Sequence, residues 1–175
     1  RDSRINPIFE GTNEINRLLI PGTLVKKAMR GDLPLMQKVL SLQQELASYA
    51  PAPAEGVLGR EKNLIEAARK IILMVAGLGM QKYGQALDQE QELVSGAADM
   101  IIELYAMDSA YLRTLKAVSR DGEAQYQNKL DMTRVYVEEA FGRIADRART
   151  LLSYISSGHE LDVQLAVLSK LTARA

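Results

Sequence analysis

Three observations predict an all-α fold, a helical bundle. Apolar residues recur at spacings of three and four from Gly59 onward, the period of a helix with one face in a core. All five prolines lie at or before Pro53, so none later in the chain removes a helical hydrogen bond. No stretch alternates with period two for long enough to build a sheet.

Taken in chain order, Thr12 and Asn13 open a helix that the Pro21-Gly22 pair is expected to interrupt. Asp32 followed by Pro34 starts a second, because proline is tolerated in a first turn. Its apolar positions are Leu35, Met36, Val39, Leu40, Leu42 and Leu46. Ala50-Pro51-Ala52-Pro53-Ala54-Glu55-Gly56 reads as a stiff extended linker. These features divide the chain into residues 1–49, a Pro/Ala linker at 50–59, and a helical bundle at 60–175.

The bundle begins with a helix from Arg60 to Tyr83. Its stripe is Leu64, Ile65, Ala68, Ile71, Ile72, Val75 and Leu78, and Glu61, Glu66, Arg69 and Lys70 occupy its polar face. Gly77 and Gly79 each cost this helix about 1 kcal/mol relative to alanine, and close approach of a neighbour is the reason to keep them. After a break near residues 83–88, Asp88 with Gln91 has the form of a reciprocal N-cap. The next stripe is Leu93, Ala97, Met100, Ile101, Leu104, Tyr105, Ala106, Tyr111, Leu112 and Leu115, closed by an Arg120-Asp121-Gly122 turn. A further helix carries Leu130, Thr133, Val137, Ala140, Phe141, Ile144, Ala148, Leu151, Leu152 and Ile155. Gly158, in Ser156-Ser157-Gly158, is expected to end it in the left-handed conformation. A short last helix has Leu161, Leu165, Leu168 and Leu171.

Composition removes several kinds of chemistry. The 175 residues carry 22 basic and 22 acidic side chains, a balance that argues against a nucleic-acid binder, which needs a basic surplus. With no cysteine there is no disulfide framework, thiolate zinc site or thiol nucleophile. The one histidine, His159, stands at a helix junction and reads as a cap or surface residue, so di-iron and histidine-dependent triad chemistry lack their ligands. No phosphate-binding glycine motif occurs. Residues 71–80 form the longest apolar run, about half of the roughly 20 residues that span a bilayer.

One cluster differs from the rest: Ile8-Phe9-Glu10-Gly11-Thr12-Asn13-Glu14-Ile15. A carboxylate follows two large apolar residues and precedes a glycine, and then a helix begins. Backbone N–H groups at a helix opening suit a phosphate or another anion. A carboxylate set among apolar groups is a candidate proton-abstracting base. On the residues alone, an ordinary helix entry explains the same letters.

Arg-Asp-Ser-Arg-Ile at 1–5 and Ile-Phe-Glu-Gly-Thr-Asn-Glu-Ile at 8–15 resemble the C-terminal signature of acyl-CoA dehydrogenases. Residues 63–118, with Gly77-Leu78-Gly79 and the run 99–107, are similar to the extra helical region of the very-long-chain branch. The resemblance implies the C-terminal piece of an FAD-dependent α,β-dehydrogenase of fatty acyl-CoA thioesters in β-oxidation. In the intact enzyme Glu10 would remove the acyl α-proton while the β-hydrogen leaves as hydride to the flavin. The Glu10 N–H would polarise the thioester carbonyl. Phe9 and Gly11 would contact substrate, and Thr12, Asn13 and Glu14 would lie beside FAD.

The same resemblance implies an electron-transfer flavoprotein as acceptor, a homodimer, and a peripheral membrane role for the 60–175 appendage, which the helix around residues 71–80 alone motivates here. It also implies a bacterial cytoplasm or a mitochondrion as compartment. Nothing in the chain supplies the β-domain that covers flavin and acyl chain in the family, so the piece alone is expected neither to hold FAD tightly nor to catalyse. Two other readings stay open: a non-catalytic interaction or scaffold bundle that keeps the signature by descent, and a short- or branched-chain enzyme.

Overall fold

The computed structural model describes residues 2–47, 49–50 and 52–173. Arg1, at the start of the signature, and Pro51, in the linker, lie outside the described residues, as does the side chain of Met36. Six α-helices make up the body: α1 (Asn13–Met29), α2 (Leu35–Ala47), α3 (Gly59–Tyr83), α4 (Gln91–Asp121), α5 (Gln127–Ile155) and α6 (Gly158–Thr172). Short 3-10 turns occupy Asp2–Ile5, Gly84–Gln89 and Glu123–Tyr126, and no strand occurs among the described residues.

Helices α3, α4 and α5 form the centre, α6 closes the end of α5 and α3, α2 lies on α3, and α1 lies on α4. The core is built by the stripes expected of these helices. Ile65, Ala68, Ile71, Ile72 and Val75 of α3 meet Val137, Ala140, Ile144, Ala148, Leu151, Leu152 and Ile155 of α5, with Met100 and Met107 of α4 and Leu168 and Leu171 of α6. Each fully buried Leu, Ile or Met side chain contributes about 1.5–3 kcal/mol by leaving water. Leu58, Val118 and Leu130 make a second, smaller cluster at the far end. Thr114 and Thr133 satisfy each other across α4 and α5 at 2.8 Å.

The glycines of α3 are there for close approach. A Cβ on Gly77 would lie 2.7 Å from Cγ1 of Val39, so α2 packs on α3 through that gap; a Cβ on Gly79 would meet Leu93 at 3.3 Å. Asn63 donates to the Ala52 carbonyl at 2.7 Å, tying the linker to the first turns of α3.

Several expectations are corrected. Pro21 sits inside a continuous α1; its fixed φ is helical, so it costs the hydrogen bond to Arg17 without bending the path out of helix. The Asp88–Gln91 cap does not form, because the turn Gly84–Gln89 takes up Asp88 and α4 starts after Glu90 with no side-chain cap. Gly158 does adopt a positive φ of 58°, but it opens α6, while α5 ends on an extended Ser156. Leu40, Tyr105 and Leu112, assigned to apolar stripes, are exposed, and Met107 takes the inward place on α4. Glu61, assigned to a polar face, is buried. Residues 71–80 contribute Ile71, Ile72, Met74 and Val75 to the core. Among the described residues no helix is long and apolar enough to cross a membrane, and no three His, Cys, Asp or Glu side chains are grouped to hold a metal.

Candidate functional site

The signature cluster folds into a short self-braced loop ahead of α1. The Ile5 carbonyl accepts from both the Ile8 and the Phe9 N–H at 2.9 Å, which curls the chain after Asp2–Ile5. The Pro7 carbonyl accepts from the Asn13 N–H at 2.9 Å and closes the loop on the helix start. Between these bonds the backbone reverses through two consecutive left-handed residues, Glu10 at φ 55° and Gly11 at φ 97°. Only glycine takes the second position without cost, and a Cβ there would press on Oδ1 of Asn16 at 3.0 Å. Glu10 pays a steric cost of order 1–3 kcal/mol for its conformation.

Asn16 reaches back and donates from Nδ2 to the Gly11 carbonyl at 3.0 Å, fixing the turn to the first helical turn. Thr12, in extended conformation, caps α1 by accepting the Ile15 N–H at 3.4 Å. The Glu14 carboxyl is held below the ordinary carboxylate range by its own backbone N–H first and the Thr12 hydroxyl second. The helix opening therefore differs from the free anion site expected of it: Asn13 and Ile15 donate internally, and Glu14 places its own charge at the positive end of the helix. The unpartnered donors sit one step earlier. Among the described residues the N–H groups of Glu10, Gly11 and Thr12 have no protein partner. Successive free N–H groups in such a turn suit one oxygen, that of a carbonyl or a phosphate.

Around the turn this chain supplies no enclosure. Ile8 is 70% exposed and Phe9 61%, and Glu10 is exposed as well, so the apolar surroundings expected for the carboxylate are not made by these residues. The structure brings Phe9, Glu10, Gly11, Thr12, Asn13 and Glu14 together on one loop and helix start, with the face that would meet a substrate left open. As a flavin edge, the Thr12 N–H and the exposed Asn13 amide have the right donors, whereas Glu14 acts as a cap on its own helix.

Sequence reading missed the residues that hold this segment in place. The Arg17 Nε meets Oδ1 of Asp99 at 2.9 Å, and Nη2 of Arg147 meets Oδ2 of the same carboxylate at 3.3 Å. Two clefts of about 540 and 460 Å³ share Arg17, Asp99, Arg147 and Thr150 in their walls. Further along the seam, Arg143 grips both oxygens of Glu103 at 2.8 and 3.1 Å. Arg143 first and then the Tyr136 hydroxyl keep the Glu103 carboxyl below its ordinary range, against its partial burial. Partners this distant along the chain leave no local pattern in the sequence.

Comparisons with known proteins agree with the signature. A family model described as acyl-CoA dehydrogenase, C-terminal domain, matches residues 67–170. A probable acyl-CoA dehydrogenase of Bacillus subtilis (strain 168) is 49% identical over 173 residues, which are 98% of this chain and 29% of that protein. The probable acyl-CoA dehydrogenase FadE10 of Mycobacterium bovis is 25% identical over 191 residues, 95% of this chain and 28% of that protein. The crystal structure of an acyl-CoA dehydrogenase complexed with FAD from Bacillus anthracis superposes with a TM-score of 0.96 at 48% identity, covering 99% of this chain and 30% of that one. The chain thus spans less than a third of the length of these relatives.

Proposed function

This chain belongs to the acyl-CoA dehydrogenase family, and from that premise we propose that the full-length protein is an FAD-dependent dehydrogenase of long-chain acyl-CoA in which Glu10 is the catalytic base. The observation that carries the assignment is the Glu10–Gly11 turn. A non-glycine residue held left-handed beside a left-handed glycine is a strained arrangement, braced by Asn16 and by the Pro7–Asn13 bond, and it presents a carboxylate where the backbone also offers free donors.

Glu10 takes the α-proton: the α C–H bond breaks, the proton passes to the carboxylate, and the electron pair stays on the acyl carbon. Negative charge then develops on the thioester oxygen, and the N–H groups of Glu10 and Gly11, which have no protein partner among the described residues, are the donors for it. FAD, when bound in the full-length enzyme, supplies the two-electron acceptor for the β-hydrogen. Thr12 and Asn13 border it, Glu14 fixes the helix start, and Phe9 and Gly11 line the acyl thioester. The family resemblance supports an electron-transfer flavoprotein as acceptor and a homodimer as working unit. Residues 60–175 form a bundle appended to the catalytic body, and residues 1–49 are the end of that body laid against it. The open face of the Glu10 turn supports the reading that this piece alone is inactive.

Replacement of Glu10 by glutamine in the full-length protein is the test. The variant should keep its yellow flavin and lose acyl-CoA dehydrogenation by about 10²-fold or more, the range lost with a general base. Retained turnover would place the base elsewhere.

A further inference from the structure

We propose that Asp99 is a positioning residue: held by Arg147 and holding Arg17, it locks the first turns of α1 to the bundle and thereby sets where the Glu10 turn stands. This rests on the reading of Glu10 as base, and it gives the bundle a part in the reaction that the signature residues do not contain.

The need for such a lock follows from how α1 is seated. Within residues 2–173, α1 meets the bundle on α4 without burying any of its own residues. Pro21 also takes one hydrogen bond out of the middle of the helix. Among the described residues, Arg17 to Asp99 is the one ion pair that joins residues 2–29 to the bundle.

Each half of the link is braced. On the bundle side the two carboxylate oxygens of Asp99 are divided between arginines of two different helices, Arg17 of α1 and Arg147 of α5. Arg147 can come that near because Gly96 stands one turn before Asp99. A Cβ at Gly96 would be 2.8 Å from Leu151 Cδ2 and 3.3 Å from Arg147 Cδ, so a side chain there would push α5 and its arginine away. On the site side, Arg17 follows Asn16, whose amide holds the Gly11 carbonyl at 3.0 Å. A covalent and hydrogen-bonded path therefore runs from Asp99 through Arg17, Asn16 and Gly11 to the residue that bears the base. Displacement of a reacting group by about 1 Å costs on the order of 10²-fold in rate.

The experiment uses the full-length holoenzyme with saturating long-chain acyl-CoA. Asp99→Asn and Arg17→Ala should each lower kcat by about 10- to 100-fold with KM and flavin content unchanged. Asp99→Glu, which keeps the charge, should recover most of the loss. The Asp99→Asn/Arg17→Ala double variant should lose no more than either single one, because both remove the same link. Arg17 is about half exposed, so its truncation leaves the fold intact and keeps the test open even where Asp99→Asn is unstable. Wild-type turnover in both single variants, losses that add, or losses confined to KM would each overturn the proposal. With Glu10→Gln as the control, an inactive control beside fully active Asp99 and Arg17 variants overturns the lock alone, and an active control overturns the reading of Glu10 itself.

Discussion

Tyr154 shows how one exposed contact can be read as a titration. Its hydroxyl donates to the Glu90 carboxylate, which binds the chain after α3 to the end of α5. That bond first, and then partial desolvation and the charge of Glu90, push the phenol up to about 12 from an ordinary 10.0. A raised folded value means that the neutral phenol is the form the fold favours. The contribution is complete below the unfolded value and is lost as pH rises through the folded one. Phenolate absorbance should therefore place Tyr154 near 12, and Glu90→Gln should return its midpoint toward 10.0. An unmoved midpoint in that variant would show that the bond is absent in solution. At the same scale, Glu10 and Gly11 were legible as a candidate pair from their letters, but the left-handed backbone they share was not, because it depends on Asn16 and Asn13 closing the loop behind them.

Among the helices, packing overrides intrinsic preference at identifiable points. Gly77→Ala would raise helix propensity in α3 by about 1 kcal/mol. The new Cβ would meet Val39 Cγ1 at 2.7 Å, and a β-branched valine has little rotamer freedom with which to retreat. Overpacking of this kind costs about 1–3 kcal/mol, so the substitution should destabilise, measured by urea unfolding. In a Val39→Ala background, where the obstruction is gone, the same Gly77→Ala change should stabilise. If Gly77→Ala stabilises in both backgrounds, α2 does not approach α3 as described. The periodic stripes of α3 and α5 could be read from the sequence because their partners repeat with the helix itself. Helix ends could not: α4 starts uncapped because a 3-10 turn absorbed Asp88, and α1 passes through Pro21 because the proline's fixed φ is itself helical.

For the molecule as a whole, stability is concentrated in the α3–α5 contact, which runs from Ile65 to Ile155 and draws in α4 and α6. Ile144→Ala, at a fully buried position, should cost about 2–5 kcal/mol and lower the urea midpoint with an unchanged slope. A small loss would mean that the site collapses to fill the cavity. The all-helical class was legible because composition, proline placement and period agree. The placement of α1 on the rest was not, since its one ion pair to the bundle among the described residues runs to a carboxylate shared by Arg17 and Arg147, beside the gap left by Gly96.

That α1 buries no residue has a consequence for how long its amides keep their protons. Local opening is easiest where little apolar surface must be exposed to achieve it. Backbone deuteration should therefore reach α1 and the loop before it well ahead of α3 and α5, whose protection should approach the global limit. Equal protection across all of them would mean that the chain opens only as one unit. In a graded molecule the Glu10 turn and α1 exchange first and the α3–α5 core last.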